Sequence, residues 1–162
     1  MLSAERWRRA ASLLAGAWAG LMAGLGFVAA PSLFALLSRT DAGRVAGRLF
    51  AVDAYVGLAL GVVLLLIARH LAQADAERGG SRFSTEMMLA LAALFCTVAG
   101  HFGLQPMIEA ARAGEGRASF AVLHGAAAAF FLVKLGVVAA LAWRLGRPGT
   151  AFRAAATTSS GS

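Results

Sequence analysis

Two ionisable side chains fall where water does not reach. Asp53 lies inside one long apolar stretch and Lys134 inside another, and facing either one to lipid costs about 3 kcal/mol on insertion scales. Both are therefore expected to face the protein interior. At the 1.5 Å rise of a helix their levels differ by about 8 Å, which a lysine stem and an aspartate can bridge if their helices are neighbours. Three chemistries fit such residues: a structural ion pair, a proton or ion relay, and separate snorkelling or bonding to backbone carbonyls.

A second set gathers near one end of the third apolar stretch. His101, Gln105 and Glu109 follow one another at i, i+4 and i+8, so they are expected on one side of a helix. His124 lies one turn into the next stretch from the same side, and Arg44 and Arg48 enter the second stretch there. With Asp53 deeper down, these residues are expected to converge on a polar pocket. Two imidazoles and a carboxylate are donors for zinc, copper or haem iron, but their spacing matches no metal motif. No H-E-x-x-H, nucleophilic triad, phosphate loop or dinucleotide fingerprint occurs. The primary expectation is a hydrogen-bond network tying helices two, three and four, with a metal or haem site as the alternative; the sequence names no cofactor.

The elements that must position these groups are four apolar stretches, roughly Ala10 to Ala30, Val45 to Ala68, Met87 to Met107 and Phe120 to Trp143. Each reaches or nearly reaches the roughly 20 residues that span a hydrocarbon core. Hydrophobic residues make up 59% of the chain and charged ones 14%, well below the quarter or so of a soluble domain, and mean hydropathy is +0.72. The expected fold is an all-α, integral membrane four-helix bundle. It forms one domain over residues 1–150, with helices at about 8–30, 45–69, 85–108 and 119–145 and a disordered tail at 151–162. The bilayer itself is then the first partner.

A net charge of +7 does not point to nucleic acid, because the arginines sit at the ends of apolar stretches, where they meet headgroups and set orientation. Arg6, Arg8 and Arg9, then Arg69, Arg78 and Arg82, then Arg144, Arg147 and Arg153 flank one side; Arg39, Arg44, Arg48, Arg112 and Arg117 flank the other. The excess places both termini and the middle connection in the cytoplasm. Arg6, Arg8 and Arg9 before an apolar run imitate a signal peptide, but the run is too long for one, so the first helix is read as retained.

Ser3, Ser84 or Thr85, and Ser119 are expected helix N-caps. Pro31 is expected to end or bend the first helix, Ser32 to Leu37 to form a short interfacial helix, and Ser38 to Arg44 a turn. Gly114, Glu115 and Gly116 read as the third turn, and Gly146, Pro148 and Gly149 as the stop of the fourth helix. Cys96, the single cysteine, excludes an intrachain disulfide and is expected as a small buried hydrophobe. Gly16, Gly20 and Gly24 form a stripe on the first helix, and Gly43 with Gly47 and Gly57 with Gly61 do so on the second. Such stripes let backbones approach where lipid supplies no hydrophobic drive. They are expected to pack helices one and two together, and the same surfaces would serve a homo-oligomer or another membrane protein.

Four segments resemble the transmembrane-protein-205-like family of small multi-helix membrane proteins: Phe27-Val28-Ala29-Ala30-Pro31-Ser32-Leu33-Phe34; Ala42-Gly43-Arg44 through Leu49-Phe50 with Tyr55; His101-Phe102-Gly103-Leu104-Gln105-Pro106; and Phe120 to His124-Gly125. That resemblance implies four spans and transfers no catalytic residue. The leading functional reading is a non-enzymatic accessory or scaffold protein of a bacterial inner membrane. The runner-up is an oligomeric transporter or channel moving a small ion or metabolite past Asp53, Lys134 and the histidines. A membrane enzyme or a haem- or metal-binding protein comes third.

Overall fold

The computed structural model describes residues 4–77, 79–115 and 118–147. Four helices long and apolar enough to cross a membrane follow one another: α1 (Ala4–Leu36), α2 (Arg39–Ala76), α3 (Thr85–Arg112) and α4 (Phe120–Gly146). All are antiparallel to their chain neighbours. The half of the bundle that holds Ala4, Ala76, Thr85 and Gly146 is the terminal half; the half that holds the α1–α2 and α3–α4 connections is the distal half. The expected cap at Ser3, the arginines 78, 117 and 153, the turn and stop residues at 116, 148 and 149, and the tail at 151–162 lie outside the described residues.

Helix boundaries follow local chemistry. Ser84 and Ser119 cap α3 and α4, their hydroxyls accepting from the N–H of Met87 at 3.2 Å and of Val122 at 3.4 Å. Gly114, at φ +80°, takes the left-handed conformation that a side chain resists and closes the turn after α3. One expectation is corrected here. The Ser38 to Arg44 segment is not a turn but the first turn of α2. Ser38 accepts from the N–H of Asp41 at 3.2 Å and donates to its carboxylate at 2.7 Å, a reciprocal cap that starts the helix before Gly43 and Gly47.

At Pro31, where an end or a bend is expected, α1 does not end. The backbone widens into a π-helical turn over Gly24–Ala29 and continues as Ala30–Leu36. A proline ring collides with the carbonyl four residues back and lacks an N–H to bond it. Shifting to i→i+5 bonding moves that carbonyl aside. The same device recurs in α3, where Val98–Gly103 is π-helical just ahead of Pro106.

Around the bundle the order is α1, α2, α3, α4, with α4 closing on α1; α1 and α3 face each other across one diagonal, α2 and α4 across the other. In the terminal half all four helices close on an apolar core of Ala11, Ala15, Trp18, Met22, Leu64, Leu71, Ala90, Ala93, Val138, Leu141 and Leu145. There α1 packs most closely on α4: Ser12 donates to the Ala142 carbonyl at 2.9 Å, and a Cβ on Gly146 would lie 3.0 Å from the Ser12 hydroxyl.

The glycine expectation is corrected accordingly. Ala11, Ala15, Trp18 and Met22 form the buried face of α1, and the Gly16, Gly20 and Gly24 stripe lies on another face with nothing within 4 Å of where a side chain would begin. Gly43 and Gly47 are equally open. Of the seven glycines expected to pack, only Gly57 and Gly61 do so: Trp18 fills the space at Gly57, 3.0 Å from a notional Cβ, and Leu94 the space at Gly61.

Past the two π-helical turns the bundle divides. Among the described residues, the backbone of distal α1 comes close to that of α2 and not to that of α4, and the backbone of Leu104–Arg112 of α3 comes close to α4 and not to α2. Two hairpins therefore splay apart where the four helices had been joined.

Candidate functional site

The splay leaves a cavity of about 380 Å³. Its floor is the ion pair expected from sequence: Lys134 Nζ donates to Asp53 Oδ2 at 2.8 Å, with only 5% and 2% of the two residues exposed. α2 and α4 are diagonal rather than adjacent, so the long lysine stem crosses the bundle centre. Phe50 and Phe131 meet edge to face over the same diagonal with ring centroids 5.3 Å apart, and the ammonium lies 5.7 Å from the Phe131 ring centre. Phe131 also reaches α1, where its ring occupies the space a side chain on Gly26 would need. The second carboxylate oxygen of the pair, Asp53 Oδ1, is buried without a hydrogen-bond partner among the described residues.

Above the floor, His101, Gln105 and His124 line the cavity, as do Thr97, Cys96 and Arg112. The Thr97 hydroxyl is spent on the Ala93 carbonyl at 2.9 Å. Cys96 is buried, as expected of it. At the mouth, Phe120 organises two groups: the Arg112 guanidinium sits 5.2 Å over its ring, and the His124 imidazole stacks on it at 5.5 Å with planes 12° apart. His101 is held edge-on to Phe102 at 5.0 Å.

The structure thus brings Asp53, His101, Gln105, His124 and Lys134 around one space. It does not bring Glu109, Arg44 or Arg48 there. Glu109 is exposed because a step of four residues overshoots the helical turn by about 40°, so a residue at i+8 has turned about 80° away. The lining stripe instead runs His101, Gln105, Ile108, Arg112, alternating steps of four and three. Arg112 was missed for that reason, and the alternation is the signal that would have found it. Arg44 pairs with Asp41 on the surface of α2, and with Arg48 it borders a separate shallow hollow. Among the described residues no group of three or more His, Cys, Asp and Glu is arranged to hold a metal ion.

Chemically, the arrangement offers an apolar, aromatic chamber with a paired acceptor and donor at its floor and basic or amide groups at its mouth. Residues 13–117 match the family described as Domain of unknown function (DUF4149). Nothing among curated proteins or solved structures matches the chain.

Proposed function

We propose, from the premise that this chain belongs to the DUF4149 family, that it is a multi-pass membrane protein that holds a small molecule in its distal cavity, for binding or for transfer across the bilayer. The observation that carries this is the buried Asp53–Lys134 pair at the cavity floor. Taking two charges out of water costs several kcal/mol per ion before their attraction is counted, and a well-packed apolar pair would bridge the same diagonal without that cost. An ionisable pair kept at membrane depth beside an open chamber fits a ligand site or an ion path. The pair closes the chamber toward the terminal half, so passage through the bundle would require it to part.

Within that reading we place the protein with the transmembrane-protein-205-like proteins its segments resemble, in a bacterial inner (plasma) membrane, termini cytoplasmic. Native mass spectrometry of the protein released from membranes in mild detergent tests the cavity. The parent should carry a bound small-molecule mass that Ala127→Trp, which fills the chamber from α4, lacks at unchanged helix content. A bare parent, or the same adduct on both, would overturn the reading.

A second reading, an accessory or scaffold subunit, is favoured by the Gly16, Gly20 and Gly24 stripe, which is open to a partner helix. Gly20→Ile should then change the detergent-corrected mass of the purified assembly; a monomer in both forms would remove it.

A further inference from the structure

Resting on the cavity reading, we infer that the occupant is a lipid-phase molecule with a neutral hydroxyl head, a long-chain alcohol or quinol, which enters sideways from the bilayer. The entrance follows from the splay. Distal α1 makes no close backbone approach to α4, and the flanking Phe27 and Leu132 are exposed although both line the chamber. An opening between two membrane helices faces hydrocarbon, and the walls beyond it, Phe50, Phe130 and Phe131, suit an apolar chain. The volume lies in the range of about 300–1,000 Å³ usual for small-molecule pockets, far above the roughly 30 Å³ of one water.

The head group follows from the floor. Asp53 Oδ1 lacks a donor among the described residues, while Lys134 gives one hydrogen bond to Oδ2 and an ammonium has three protons to give. A hydroxyl is the smallest group that satisfies both, donating to Oδ1 and accepting from Nζ. Charged heads fit worse: an ammonium would stand beside Lys134, a carboxylate beside Asp53, and either would add net charge to a neutral pair in a low-dielectric site.

A photoreactive hexadecanol carrying a diazirine and a terminal alkyne, with its O-methyl ether as the matched control, tests this on the full chain in liposomes. The alcohol should label peptides containing Phe27, Phe50 or Phe131 at least tenfold more than the ether, unlabelled hexadecanol should compete, and Ala127→Trp should abolish the labelling. Equal labelling by both probes that Ala127→Trp removes would overturn the hydroxyl head and leave the cavity reading standing. Labelling that survives Ala127→Trp would overturn both. No labelling by either probe would overturn the lipid occupant; competition by hexadecanol in the parent keeps the test valid if Ala127→Trp fails to fold.

Discussion

The two halves of this bundle are built from the same four helices and solve different problems. In the terminal half, Ala11, Ala15, Trp18 and Met22 on one face of α1 pack into one buried apolar cluster with Leu64 of α2 and Leu141 of α4. In the distal half, the π-helical turns ahead of Pro31 and Pro106 redirect α1 and α3, each toward its own hairpin partner, and the centre opens. Polar groups are distributed accordingly. The terminal core is apolar, whereas the chamber collects an aspartate, a lysine, an arginine, two histidines and a glutamine. Packing holds the molecule together at one end so that the other can stay open.

The sharpest way to break that comparison is to attack the boundary between the halves. Replacing Asp53 with Leu strands the Lys134 ammonium, and breaking a buried pair in this way costs about 3–5 kcal/mol; Asp53→Asn, which keeps an acceptor, should cost less. Asp53→Leu combined with Lys134→Met should recover much of the loss. Thermal unfolding in detergent measures these three and the single Lys134→Met variant, and a double-variant loss equal to the sum of the Asp53→Leu and Lys134→Met losses would mean that the two residues do not act as a pair.

A nearly equal effect is expected from the terminal core. Trp18→Ala removes a fully buried indole and should cost about 3–5 kcal/mol. Phe131→Ala borders an existing space, has fewer partners to lose, and should cost on the order of 1–2 kcal/mol. Similar losses at both sites would remove the contrast between a packed and an open half. The smallest effects separate the glycines. Gly57→Leu collides with Trp18 and should cost about 1–3 kcal/mol, while Gly20→Ala meets nothing and should be neutral or stabilising by up to about 1 kcal/mol through helix propensity.

What was legible in the sequence was whatever depends on a few consecutive residues or on a strong solvent penalty. The four spans follow from apolar length, and the caps at Ser84 and Ser119 from a hydroxyl ahead of an apolar run. Asp53 and Lys134 stood out because charge at membrane depth must find a partner, and only their diagonal placement was new. Less accessible were features set by how helices lean on one another. Pro31 reads as an end or a bend, since nothing in the residues themselves distinguishes a stop from a π-helical widening that carries the helix on to Leu36. The glycine stripe of α1 reads as an interface, but the alanines and Trp18 on another face hold that role. Strict four-residue spacing selected Glu109, whereas the true turn carries the stripe to Arg112. The polar lining of the cavity is legible in Asp53, His101, Gln105, His124 and Lys134, but its aromatic walls and its opening beside α1 are not, because they exist only where two hairpins diverge.

The central claim is that α1 and α4 are joined in the terminal half and parted in the distal half, and paired cysteines in a Cys96→Ser background measure this directly. A disulfide requires Cα atoms within about 7 Å and Cβ atoms near 4 Å. Ser12 and Gly146 meet this, with 4.0 Å between the Ser12 Cβ and the position of a Cβ on Gly146, while Ala30 and Ala128 lie on helix segments that make no close backbone approach. On mild copper-catalysed oxidation in membranes, Ser12→Cys with Gly146→Cys should crosslink nearly completely and Ala30→Cys with Ala128→Cys should stay reduced. Equally ready crosslinking of the distal pair would contradict the account.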